Sequence, residues 1–251
     1  MDSLISKVVS CIELASETAR SEFGSKQRVL RKDDYELICE ADLLIKDLLM
    51  DLLRDTLPVM HEEQKVFEAI SEPTLVIDPI DGTHNFISGL DIFGITISMV
   101  SPDGFHFGVI SIPSRQWIIV GVEGKQTTLN ERPIRIRQTG NLNEALICFD
   151  NNFRSSDCIM DQFAKISQNA FTTRITGCAS YDGALIAQGL ADARIWNSTK
   201  LFDFAALVPI IVGAGGVVTT FDGDSPSFDD VQLIASNGSL HSQLLHEIGQ
   251  N

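Results

Sequence analysis

Thr74-Leu-Val-Ile-Asp-Pro-Ile-Asp-Gly-Thr83 joins a short apolar, β-branched run to a turn that carries two aspartates. The run from Thr74 to Ile77 follows Pro73 and predicts a buried strand. Asp78 emerges at the end of that strand, and Pro79 stiffens the next step. Asp81 lies three residues on, so one turn aims both carboxylates at one point. Converging carboxylates repel each other unless a cation sits between them. Hard oxygen donors favour magnesium, with manganese as the alternative, over zinc. Gly82 lets the backbone approach a ligand closely. A helix starting at Thr83 would point the N–H groups of Gly82 and Thr83 at an anion. An isolated Asp-Gly reads as an ordinary turn. This longer string after a strand reads as a cation site beside a phosphate site.

Two further acidic clusters stand out. Glu62-Glu63 lies upstream, and Asp203 lies downstream in Leu201-Phe-Asp-Phe-Ala-Ala206, at the predicted start of a helix.

Around these clusters the pattern is mixed. Leu4, Ile5, Val8, Val9, Ile12, Ala15 and Ala19 have helical spacing up to Phe23, and Gly24 ends that helix. A polar connection is expected from Ser25 to Asp34. A second helix is expected from about Asp42, on Leu43, Leu44, Ile45, Leu48, Leu49, Leu52 and Leu53, closed by Pro58. Phe93–Val100, Gly104–Ile110 and Gln116–Val122 read as strands of an antiparallel sheet. After about Asn143 strands alternate with helices. Strands are expected at 145–149, 171–175 and 217–221, and helices at 158–166, 181–188, 203–212 and 239–248. The fold class is therefore α/β in the α+β sense. No Gly-, Pro- or Ser-rich linker divides the chain. One domain over residues 1–251 is expected, in two packed halves. The antiparallel half with the metal site covers about 1–142, and the alternating half about 143–251.

Acids outnumber bases 34 to 19 for a net charge of −15, and 44% of the 251 residues are apolar. That composition belongs to a globular chain with a substantial core. Its negative surface argues against nucleic acid and anionic lipid as partners. The small basic cluster Arg28, Arg31 and Lys32 is followed at once by Asp33 and Asp34. Five cysteines with no Cys-x-x-Cys pair suit a reduced, cytoplasmic protein. No secretion signal and no membrane anchor are expected.

Asp78-Pro-Ile-Asp-Gly-Thr83, Glu62-Glu63 and Phe202-Asp203-x-Ala-Ala206 together resemble the signature motifs of the inositol monophosphatase superfamily. Leu37–Asp42 and Val212-Gly-Ala-Gly-Gly-Val217 extend the resemblance over nearly the whole chain. It implies a layered αβαβα sandwich of the inositol monophosphatase and fructose bisphosphatase type, usually a homodimer. It further implies magnesium-dependent hydrolysis of a small-molecule phosphate monoester by metal-activated water, with two or three metal ions per site. By resemblance, Glu62, Asp78 and the Ile80 carbonyl bind the first metal, and Asp78, Asp81 and Asp203 share the second. Thr83 and Glu62 orient the water, while Asp81, Gly82 and Thr83 face the phosphate.

Phe86–Gly94, Gly124–Pro133 and Phe204–Ile211 look closest to the histidinol phosphatase branch. The leaving-group side is expected at Gly177-Cys178-Ala179, with Arg174 nearby. Where inositol and histidinol phosphatases commonly carry a substrate-binding Glu, seven residues before the last aspartate, this chain has Trp196. An indole cannot accept a hydrogen bond from a substrate hydroxyl or amine. Trp196 is expected either on the substrate or in the core. A catalytically weak relative serving as a scaffold or regulatory binding protein is the alternative function.

Overall fold

Helix α1 (Asp2–Glu22) buries Val8, Cys11, Ile12, Ala15 and Ala19 along one stripe, the spacing read from the sequence. It lies beside α2 (Glu40–Leu53), which buries Ala41, Ile45, Leu49 and Leu53. This is a computed structural model, and it describes residues 1–31, 37–64, 69–150, 152–153 and 158–249. Lys32 of the basic cluster, and Asp33 and Asp34 after it, lie outside the described residues. The connection between the two helices is not wholly irregular, because β1 (Val29–Arg31) pairs antiparallel with β2 (Leu37–Cys39).

The first large sheet has seven strands in chain order: β3 (Val59–His61), β4 (Thr74–Asp81), β5 (Gly94–Ser101), β6 (Gly104–Ile112), β7 (Trp117–Val122), β8 (Thr128–Leu129) and β9 (Arg132–Pro133). Only the β3–β4 pair is parallel. Strand alternation sends Leu75, Ile77, Ile95, Ile97, Phe107 and Val109 against α1 and α2. Full burial of each such side chain is worth roughly 1.5–3 kcal/mol. The opposite face, with Ile110, Ile112 and Ile119, packs on α5 (Ala179–Ala187) and α7 (Leu207–Gly213). Gly108 and Gly121 make that contact close. A Cβ at Gly108 would overlap the backbone of Ala206, and one at Gly121 the backbone of Ile210.

The second sheet has the order β11 (Thr172–Arg174), β10 (Leu146–Phe149), β12 (Ala193–Trp196), β14 (Leu233–Asn237) and β13 (Gly216–Thr220). One face turns Cys148, Trp196, Val218, Leu233 and Ala235 to the same α5–α7 layer. The other turns Ile147, Phe149, Ile195 and Ile234 to α4 (Cys158–Asn169) and α8 (Gly238–Gly249). The layers therefore run αβαβα, as the resemblance implied.

Further elements differ from the sequence reading. The helix expected over 203–212 is broken into α6 (Leu201–Phe204) and α7 at Ala205 and Ala206. Strands β12 and β14 carry no alternating pattern because both of their faces are buried. No helix among the described residues is long and apolar enough to cross a membrane. Cys11, Cys39, Cys148 and Cys178 are buried free thiols.

Candidate active site

All eight residues of β4 are buried, and its ladder with β5 shifts register between Asp78 and Asp81. That irregularity releases the strand end. The Ile80 N–H donates to Asp78 Oδ1 at 3.1 Å, which closes the turn locally. Asp203 reaches the same place from α6. Val76 packs with Phe202 and Ala205, and two-residue alternation places Asp78 on the same face of β4 as Val76. Carboxylate oxygens of Asp78, Asp81 and Asp203 lie within 4.8 Å of one another. Asp203 Oδ2 accepts the Lys200 N–H at 2.8 Å and the Thr199 hydroxyl at 3.1 Å, which fixes it at the start of α6.

Glu62 follows β3, whose His61 pairs with Ile77, and its N–H donates to the Ile77 carbonyl at 3.2 Å. This places Glu62 beside Asp78. Burial first, then the charges of Glu62, Asp81, Asp203 and Asp42, hold the Asp78 carboxyl well above the ordinary aspartate range. Burial and the charge of Asp81 push Asp203 up to about 7, against the Lys200 hydrogen bond. The cluster thus opposes its own ionisation, and a divalent cation would relieve it.

A linked stability effect follows. A folded carboxyl whose pKa is raised above its ordinary value of 3.8 favours the folded state at low pH, and that stability is lost as pH rises through about 7. Metal binds the ionised form and competes with protons. Magnesium is therefore expected to raise the melting temperature more at about pH 8 than at about pH 5. Thermal melts with and without magnesium at both pH values check this. Equal shifts would contradict a carboxylate metal centre.

Gly82 follows in the left-handed region at φ +90°, where a Cβ would meet the Ile92 carbonyl at 3.0 Å and Cys178 Cβ at 3.2 Å. This combination of positive φ and close approach requires glycine. Helix α3 (Thr83–Ile87) starts at the next residue. The Thr83 hydroxyl lies 3.1 Å from Asp42 Oδ1 and 2.9 Å from the Ile80 carbonyl.

Asp42 is the site residue that sequence reasoning missed. It is buried in the first turn of α2, and its Oδ2 accepts the Cys39 N–H at 2.7 Å. Its sequence context reads as an N-terminal helix carboxylate, and that reading is also true. Burial raises its pKa, the hydrogen bonds from Cys39 and Thr83 oppose this, and the charge of Glu62 adds to it.

The expected leaving-group residues divide. Cys178 is brought to the site, flanked in the chain by Gly177 and Ala179: it abuts Gly82, and its thiol lies 3.2 Å from Asp81 Oδ2. Arg174 ends β11. It is exposed and folded onto its own strand, donating to Thr172 Oγ1 at 2.7 Å and the Thr173 carbonyl at 2.8 Å. Trp196 lies in the core, one of the two places expected for it. Its ring is 1% exposed, inside the apolar cluster between the second sheet and α5–α7. The Arg194 guanidinium lies 5.0 Å over it.

A sequence model of the inositol monophosphatase family matches residues 1–251. A chloroplastic bifunctional phosphatase of Arabidopsis thaliana, IMPL2, is 29% identical over 94% of this chain and 72% of its own length. A protein of Pseudomonas aeruginosa named as the Nus factor SuhB is also 29% identical, over 88% of this chain and 85% of its own. An inositol monophosphatase of Thermotoga maritima superposes with a TM-score of 0.90 at 25% identity, covering 100% of this chain and 98% of that one. Sequence, layer order and the match over the full length agree: the chain belongs to the inositol monophosphatase family.

Proposed function

We propose that this protein is a magnesium-dependent phosphomonoesterase acting on a small-molecule phosphate ester. The observation that carries the reading is the convergence of Asp78, Asp81 and Asp203 within 4.8 Å, directly before Gly82 and Thr83. An all-oxygen cluster that opposes its own ionisation suits magnesium, or manganese in its place. Glu62, Asp78 and the Ile80 carbonyl would hold one ion; Asp78, Asp81 and Asp203 would hold a second, with two or three in all. When bound, such ions lower the pKa of water and stabilise charge on the phosphoryl group and leaving oxygen.

The chain's own residues supply the rest. Gly82 and Thr83 would present backbone N–H groups to the phosphate. Thr83 and Glu62 would orient the attacking water. Asp42 accepts from the Thr83 hydroxyl and so fixes the orientation of that oxygen. Gly177, Cys178 and Ala179 would line the leaving-group side. We place the protein in the cytoplasm as a homodimer of single-domain subunits, with no nucleic acid or membrane partner. A regulatory binding role without turnover is the second reading, favoured by the Nus factor name of one relative.

Phosphate release decides between them. The assay uses inositol 1-phosphate, histidinol phosphate, fructose 1,6-bisphosphate and adenosine 3′,5′-bisphosphate with magnesium. At least one ester is expected to be hydrolysed, the activity is expected to vanish in excess chelator, and calcium is expected to inhibit because its coordination is larger and looser. Full activity in chelator would sink the metal reading. No release from any ester would favour the binding role.

A further inference from the structure

Behind Asp81 stands a buried ion pair that the chemistry above does not use. Asp182 on α5 and Arg194 on β12 are 0% and 4% exposed and hydrogen-bonded to each other. A buried ion pair is weak support for stability, because desolvating the two charges offsets their attraction, and apolar replacements are often tolerated. Such a pair therefore invites a positional explanation.

The contacts of this pair lead to the site. Asp182 Oδ1 accepts the Thr176 hydroxyl at 2.7 Å. The same hydroxyl oxygen lies 3.3 Å from the Cys178 N–H, which donates to it. The Thr176 carbonyl accepts Asn85 Nδ2 at 2.8 Å, which ties the segment to α3. At the end of this segment the Cys178 thiol, at 3.2 Å, and the Ser180 N–H, at 2.5 Å, both donate to Asp81 Oδ2. Among the described residues neither donates to Oδ1. The segment thus holds one oxygen of Asp81 and leaves the other uncommitted, at the end of a chain of contacts that starts on the second sheet.

We propose that the Asp182–Arg194 pair is a positioning device: through Thr176 and the Cys178–Ser180 turn it sets the orientation of Asp81 for metal binding. This rests on the metal-site reading proposed above. Both residues of the pair are buried, and neither is among those proposed to hold the phosphate ester. Supporting groups of this kind usually change metal affinity by about 10–100-fold.

The test is manganese binding to the protein without substrate, followed by the electron paramagnetic resonance signal of free manganese, alongside thermal melts. Two variants are compared with the unmodified chain. The double variant Asp182→Leu/Arg194→Met replaces the pair by apolar side chains, and Thr176→Val removes only the linking hydroxyl. Both are expected to melt cooperatively and to lose about tenfold or more in manganese affinity. In the phosphate-release assay the half-saturating magnesium should rise in step, with KM for the ester at saturating magnesium unchanged. Thr176→Ser should restore the affinity. Folded variants that bind manganese as the unmodified chain does would overturn the proposal. If the double variant does not fold, Thr176→Val decides alone. Failure of the unmodified chain to bind manganese would overturn the metal-site reading and this proposal with it. Binding that the variants leave unchanged would overturn this proposal only.

Discussion

Asp203→Asn is expected to lower turnover by roughly 100-fold or more while leaving the fold intact. The amide keeps an oxygen where the carboxylate has Oδ2, so the Lys200 N–H and the Thr199 hydroxyl retain their acceptor at the start of α6. What is lost is one negative charge among three converging acids. In the metal-free protein that charge is unfavourable, since burial and Asp81 oppose its ionisation. The variant should therefore melt no lower than the unmodified chain without magnesium, and should gain much less from added magnesium. Metal affinity, melting temperature and kcat measured together separate this outcome from simple misfolding. Near-normal activity with unchanged magnesium dependence would show that Asp203 is not a metal ligand.

The site was legible in the sequence wherever its geometry is local. Asp78, Asp81, Gly82 and Thr83 lie within six residues, and a strand end followed by a turn brings them together whatever the rest of the chain does. Asp203 is different. Nothing in its spacing aims it at Asp81, and only the resemblance paired the two. The αβαβα packing delivers it by placing Phe202 and Ala205 against Val76. Asp42 shows the converse limit, since a carboxylate in the first turn of a helix explains itself without a site. The elements behaved likewise. Amphipathic α1 was read within two residues of its ends, whereas β12 and β14, buried on both faces, gave no period to read. Trp196 was left open between substrate and core for the same reason: the direction of a side chain is set by packing that periodicity does not contain.

Trp196 makes that last point measurable. Trp196→Glu is expected to destabilise the protein by about 3 kcal/mol or more, a fall in melting temperature of roughly ten degrees. The carboxylate would replace a ring that is 1% exposed among Cys148, Phe204, Ile210 and Leu233. The cation over the ring, Arg194, is already committed to Asp182. Asp150 acts on Arg194 as well, and it also acts on Asp203, so the surroundings already carry negative charge. A new anion there would be buried without a free partner. Trp196→Phe is the control. The indole N–H has no hydrogen-bond partner among the described residues, so the phenyl ring should lose packing volume but no hydrogen bond among them, at a cost of about 1–2 kcal/mol. Melts of the two variants give the comparison, and phosphate release on polyol and amino-alcohol esters supplies the second readout. A glutamate variant as stable as the phenylalanine one, with raised turnover on those esters, would place position 196 on the substrate. A glutamate variant that melts far below it, with no gain on any ester, fits the ring's place in the core.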